Sequence, residues 1–207
     1  AASDVYKRQE VLICRMIADL LNPRGQHGAG AEYLKIFLKD CLGMEKMDTK
    51  LADQAIVTAE YAIDDERRID IVIEIGSHFL PIEVKIYAAD QKSQCFDYYQ
   101  YAKRRDAQAK VYYLTLDGHR PGKDSTSSGS QSVPEEDIVC LSFREHILNW
   151  LKACKNCGNT GMIPILEQFI QNIEQISGYI SEKVRNMVID ELLKSGDSLR
   201  AGMQIAD

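Results

Sequence analysis

The chain has no apolar run approaching the ~18 residues needed to cross a bilayer. Its first residues also lack the charged-then-apolar pattern that directs secretion. Positive charge is scarce: 25 lysines and arginines stand against 31 aspartates and glutamates, for a net charge of −6. That balance argues against a protein that coats nucleic acid through bulk positive charge. It leaves room for a local basic patch, or for an acidic site that meets phosphates through metal ions. No P-loop and no glycine-rich dinucleotide fingerprint is present, so nucleotide-dependent chemistry has no support. Of the six cysteines (Cys14, Cys41, Cys95, Cys140, Cys154, Cys157) only Cys154 and Cys157 form a C-x-x-C. No second pair or nearby histidine completes a zinc tetrahedron around them. The expectation is a cytoplasmic protein with no membrane contact and with reduced, buried thiols. A thiol- or zinc-dependent protein built on the C-x-x-C is kept as a third functional reading.

What is present suits one globular domain: 207 residues, 45% hydrophobic and 27% charged. Residues 1–9, "AASDVYKRQ", show neither a helical apolar period nor a start methionine. They are set aside as a non-native-looking segment, similar to translated adaptor read-through. From Glu10, Leu12, Met16, Ile17, Leu20 and Leu21 recur at helical spacing until "NPRGQHGAG" stops the helix. A second helix runs from about Ala31 to Cys41, with Tyr33, Leu34, Phe37 and Leu38 inward. Three strand-like runs follow: "AIVTAEYAI", "RIDIVIEI" and "FLPIEVKI". Asp90 is placed to cap a helix ending near Arg105, and "KVYYLTL" reads as a fourth strand. The polar segment "DGHRPGKDSTSSGSQSVPEED" is long enough to be mobile or functional. "DIVCLSF" gives a short strand, and amphipathic helices begin near Arg144. The order predicts an α/β fold, one mixed sheet flanked by helices. Residues 10–142 form the core and 143–207 a helical extension packed on the same domain, in what reads as a fragment of a longer chain.

The acidic residues inside the apolar strands carry the chemistry. Alternation puts Asp70 on one face of "RIDIVIEI", and Glu83 and Lys85 together on one face of "FLPIEVKI". A two-residue turn at Gly76-Ser77 pairs Ile75 with His78 and sets Asp70 opposite Glu83, so all three share a face. A three-residue turn would separate them unless a bulge, for example at Pro81, restored parity. Two close carboxylates repel unless a cation lies between them, and their hard oxygens suit Mg²⁺ or Mn²⁺. A lysine beside them makes sense where negative charge develops, as when water attacks a phosphodiester. The alternative reading is a structural Glu83–Lys85 pair on a half-exposed strand. The spacing alone does not decide between the two.

Downstream, Gln91, Gln94 and Tyr98 fall at i, i+3 and i+7 on one helical face, able to lie beside the site and touch a nucleic-acid strand. The other reading is a solvated face with a snorkelling tyrosine. Lys103, Arg104 and Arg105 follow, and residues 85–110 hold six basic against three acidic side chains. That excess suits phosphate, although the triplet also complements the helix dipole. His27, in a glycine-rich turn, is either near the site or a local hydrogen-bonding residue.

With these residues in view, "EVLICRMIADLLNPRGQHGAG" and "RRIDIVIEI…IEVKIYAADQKSQCFDYY", followed by "SFREHILNWLKAC", resemble the PD-(D/E)xK nuclease superfamily over roughly residues 10–180. They are most similar to a bacterial and phage branch with a RecB-like Q-x-x-x-Y element. The resemblance implies a restriction-endonuclease-like αβββαβ core and a Mg²⁺- or Mn²⁺-dependent nuclease acting on DNA, with RNA open, in defence or repair. It implies metal ligation by Asp70, Glu83, the Val84 carbonyl and Glu10, and a water-orienting or transition-state role for Lys85. It places Gln94 and Tyr98 on the Q-x-x-x-Y element. Val84 stands where asparagine is expected, which leaves the site intact because that side chain points to the opposite face. Ile13 and Cys14 replace a common "HS", and the "PD" proline is absent. The second reading is an inactive nucleic-acid-binding or regulatory module that retains the fold. A homodimer or a partner protein is compatible with both.

Overall fold

The computed structural model describes residues 2–178. Helix α1 spans Ala2–Leu21, eight residues earlier than the apolar period indicates. Once a helix is nucleated, each further residue adds a hydrogen bond at little cost, so the segment before Glu10 extends it without an apolar stripe of its own. Ile13, Ile17, Leu20 and Leu21 face the core, while Leu12 lies outward. Helix α2, Glu32–Asp40, buries Tyr33, Leu34, Phe37 and Leu38 as their spacing requires. The acidic segment after it contains a short helix α3, Thr49–Asp53, whose N-cap Asp48 accepts from Lys50 N–H at 2.9 Å.

Strands β1 (Ile56–Ala62), β2 (Arg68–Ile75) and β3 (His78–Lys85) form an antiparallel meander. β4 (Val111–Thr115) then lies parallel to β3, and β7 (Ile138–Ser142) parallel to β4. The sheet order β1-β2-β3-β4-β7 is therefore mixed. Helix α4, Gln94–Arg105, makes the crossover from β3 to β4. The chain thus has a central mixed sheet flanked by helices, the α/β arrangement that the sequence predicts.

The β2–β3 turn is the two-residue Gly76-Ser77, and Ile75 pairs with His78. Gly76 has φ 57°, which suits the first position of a tight hairpin turn and disfavours any side chain. Ile71, Ile73, Ile75, Leu80, Ile82 and Val84 join a core with α1 and α2. That core also takes in α6 (Leu148–Lys155) and the helix over residues 163–178. Trp150 of α6, the single tryptophan, donates to the Tyr33 carbonyl at 2.8 Å and meets Phe37 edge-on. On the other face, Val72, Phe79 and Tyr113 pack against Cys95, Tyr98 and Ala102 of α4. Alternation breaks on both facing strands: Ile69 of β2 belongs to this second cluster while Ile71 stays on the first face, and Tyr61 of β1 packs there while Val57 and Ala59 pack on the first core.

Asp90 does not cap α4. Ser93 precedes the helix in a left-handed conformation, which ends the helical path upstream of Gln94. Asp90 instead accepts from the Tyr113 hydroxyl at 2.6 Å and from Gly122 N–H at 2.7 Å. It thereby ties down the long polar segment, which is ordered into α5 (Lys123–Thr126) and a two-residue hairpin of β5 (Ser127–Ser128) with β6 (Gln131–Ser132). Ser93 adds bonds to Asp124 and Ser127 carbonyls. All six cysteines are free thiols, with Cys140 and Cys157 half-buried and the rest buried. The expected continuation beyond "GMQIAD" lies outside the described residues.

Gly76→Ala should lower stability by about 1–2 kcal/mol, since the new Cβ takes a left-handed φ and meets Leu51 Cδ1 at 3.2 Å. Urea unfolding measures this, and an unchanged midpoint would contradict the turn geometry.

Candidate active site

Antiparallel pairing of β2 with β3 ends at Ile71↔Ile82, whereas β3 stays paired to β4 through Glu83↔Tyr113 and Lys85↔Thr115. The next pair in register would be Asp70 with Glu83. There β2 parts from β3, and the Asp70 carboxylate fills the gap: its Oδ2 accepts from Val84 N–H at 2.8 Å. Glu83 and Lys85 project to the same side, while the Val84 side chain lies in the opposite core. Lys85 Nζ sits 2.8 Å from Glu83 Oε1. Both are buried, Glu83 only 2% exposed, and among the described residues Glu83 Oε2 has no hydrogen-bond partner.

Glu10 approaches from α1. Its Oε2 accepts from Ile86 N–H and Tyr87 N–H, each at 3.0 Å, where β3 ends. Glu10, Asp70, Glu83 and Lys85 line one cleft of about 660 Å³, together with Gln91, Gln94 and Tyr98. Gln94 and Tyr98 are buried and so differ from the solvated helical face considered above, whereas Gln91 is exposed. Tyr98 is 1% exposed; its hydroxyl donates to the Arg68 carbonyl at 2.6 Å and accepts from Gln94 Nε2 at 3.1 Å. Gln91 precedes α4, so it does not share a helical face with them; its Oε1 accepts from Arg67 Nη1 at 2.8 Å. Arg67 also bonds Asp97 and the Lys92 carbonyl, which clamps the start of β2 to the start of α4.

The electrostatics follow from burial. Desolvation raises the Glu83 carboxyl well above its usual value, and Asp70 adds to it. Asp70 is raised by desolvation too, against the lowering effect of the Val84 N–H and Lys85. Burial opposes the Lys85 charge, but the attraction of Glu83, with Asp70 and Glu10, outweighs it and the ammonium is held above its ordinary value. A charged Lys85 inside a proton-hungry carboxylate cluster is the state these directions support. Cys14 lines the same cleft, and burial followed by the carboxylates pushes its thiol upward.

The donor set fits a divalent cation: hard carboxylate oxygens from three elements, one of them buried and unpartnered. Among the described residues, however, no three acidic, histidine or cysteine side chains already surround a common point. Backbone N–H groups and Lys85 hold the carboxylates instead. The C-x-x-C offers no better centre, with Cys154 buried and Cys157 Sγ bonded to the Cys154 carbonyl at 3.6 Å.

Other expected residues lie elsewhere. His27 is buried in its own turn: Nδ1 accepts from Ala29 N–H at 3.1 Å, so Nε2 carries the proton toward the Asn22 carbonyl at 2.9 Å. Lys103 pairs with Asp137, and Arg105 with Glu74, at the far end of α4. Arg67, Arg68, Glu60 and Cys14 line the cleft without having been singled out. Arg68 could have been found, because it stands two residues before Asp70 on the same strand. It is exposed and, among the described residues, has no side-chain partner.

Comparison with curated proteins and with solved structures gave no match. A family model described as PD-(D/E)XK nuclease superfamily matches residues 3–182, spanning every element of the cleft. The chain belongs to the PD-(D/E)XK nuclease superfamily.

Proposed function

We propose that the protein is a metal-dependent nuclease that hydrolyses phosphodiester bonds in DNA, with Mg²⁺ or Mn²⁺ as the ion. The observation that carries this reading is the buried Glu83 with its orphaned Oε2, set beside Asp70 and Lys85 in a cleft that also receives Glu10. Superfamily members generally use divalent metal ions. Asp70, Glu83 and Glu10 would hold the ion, with the Val84 carbonyl as a backbone ligand. A bound ion would supply Lewis-acid chemistry, lowering the pKa of bound water and offsetting phosphate charge.

The side chains divide the remaining work. Lys85 donates to the attacking water or to the phosphoryl oxygens as negative charge builds. Glu83 holds the ammonium in place through the 2.8 Å contact. Arg68 at the cleft offers an exposed guanidinium to a backbone phosphate. Gln91, Gln94 and Tyr98 line the substrate side; the Tyr98–Arg68 carbonyl bond sets where that arginine leaves the strand. Defence against foreign DNA and repair are both settings for such an activity.

Purified protein should cleave DNA in Mg²⁺ or Mn²⁺ and stop on chelation. Lys85→Ala should lower the rate about 10²–10³-fold, as loss of one oriented donor does elsewhere. Full activity in that variant would remove Lys85 from the chemistry. DNA affinity that survives chelation without any cleavage would favour an inactive binding module, and a parallel RNA substrate separates the two nucleic acids.

The raised carboxyls add a stability test. A folded-state acid with a raised pKa binds more protons than its unfolded form between the two values, so stability falls as pH rises through that window. Metal-free protein should therefore lose stability on going from pH 4.5 upward, in the part of the curve due to these groups. Asp70→Asn keeps an acceptor for Val84 N–H and removes one of the repelling charges. It should stabilise the metal-free protein by about 1 kcal/mol, raising Tm by ~2–4 °C. It should also abolish the Tm increase that Mn²⁺ gives the parent. A Tm lower than the parent's would contradict the assigned repulsion.

A further inference from the structure

We propose that Glu60 is a positioning residue: its left-handed backbone conformation releases the facing Asp70 from the β1–β2 ladder, so that Asp70 can bond Val84 N–H. Its functional consequence rests on the nuclease reading above, while the geometry stands apart from it. Glu60 has φ 54°, in the middle of β1. Apart from Ser93 before α4, it is the one non-glycine residue with positive φ among those described.

The kink lies opposite Asp70. Tyr61↔Ile69 and Ala59↔Ile71 are both partners, but the intervening Glu60 and Asp70 are not. The register is the same on either side, so no residue has been inserted; the backbone has turned locally. This is also where alternation fails, with Ile69 carried to the α4 face while Ile71 stays on the α1 face. A regular β1 would hold Asp70 as one more ladder residue. Left-handed backbone costs free energy for a residue with a Cβ and persists where its surroundings demand it. Here the demand is Asp70 Oδ2 on Val84 N–H at 2.8 Å.

The Glu60 side chain has a lesser part. Its Oε2 meets Arg15 Nη2 at 2.8 Å, but the two side chains are 46% and 62% exposed. Such pairs hold geometry weakly. The conformation at position 60, rather than the carboxylate, is what aims Asp70.

Amide hydrogen exchange at Val84 in the metal-free protein reads the Asp70 bond directly, and needs neither ion nor substrate. Its failure is thus separable from failure of the nuclease reading. Glu60→Val, whose branched Cβ resists positive φ, should speed Val84 exchange about 10-fold or more relative to Ile82, and weaken Mn²⁺ binding about 10–100-fold. Glu60→Gly should keep Val84 protection within about 3-fold of the parent, because glycine adopts the same φ freely. Arg15→Ala, which removes only the ion pair, should leave Val84 protection as it is. Should Glu60→Val not fold, Glu60→Asn against Glu60→Ala gives the same contrast, since asparagine tolerates this region better. Parent-like exchange in the intolerant variant, equal loss in the glycine variant, or loss in Arg15→Ala would each overturn the proposal.

Discussion

One hydrogen bond organises the site: Val84 N–H to Asp70 Oδ2, made where β2 parts from β3. At that point β3 would otherwise carry an unpaired buried N–H, which is costly. A carboxylate from the departing strand satisfies it. The same bond brings a second acid to the face on which Glu83 and Lys85 already lie, so the end of a ladder becomes a cluster of charges without an orphaned backbone group.

The helices repeat this device. Glu10 uses its carboxylate to accept two N–H groups where β3 ends, which fixes α1 against the sheet. Tyr98 gives its hydroxyl to the Arg68 carbonyl, fixing α4 against the start of β2. Backbone-directed bonds thus place acid residues from distant parts of the chain around one cleft. The remaining cost is electrostatic: burial and mutual repulsion push the Glu83 and Asp70 carboxyls up, and Lys85 offsets only part of it. An acidic cluster held in this way is less stable than it could be, a common trade between function and stability.

Much of this was legible in the residues. Alternation and a Gly-Ser turn of two residues were enough to place Asp70 opposite Glu83, because hairpin register depends on local chemistry. Glu10 was not legible that way. Sixty residues separate it from Asp70, and resemblance to a family supplied it. Asp90 was misread because capping propensity is shared by any turn that needs an acceptor, and Tyr113 with Gly122 took it. Gln94 and Tyr98 were placed on the right face, but their burial depended on how closely α4 packs. The kink at Glu60 had no sequence signal, since nothing in "TAEYA" marks a left-handed residue.

The central claim is that Glu10, Asp70 and Glu83 serve one ion. A crystal structure grown with Mn²⁺, read by anomalous scattering, tests it most directly. The expected result is an anomalous peak in the cleft with all three carboxylates as ligands and Glu83 Oε2 no longer without a partner. A peak elsewhere, or none at saturating Mn²⁺ with the three carboxylates still held by backbone N–H groups and Lys85, would contradict it.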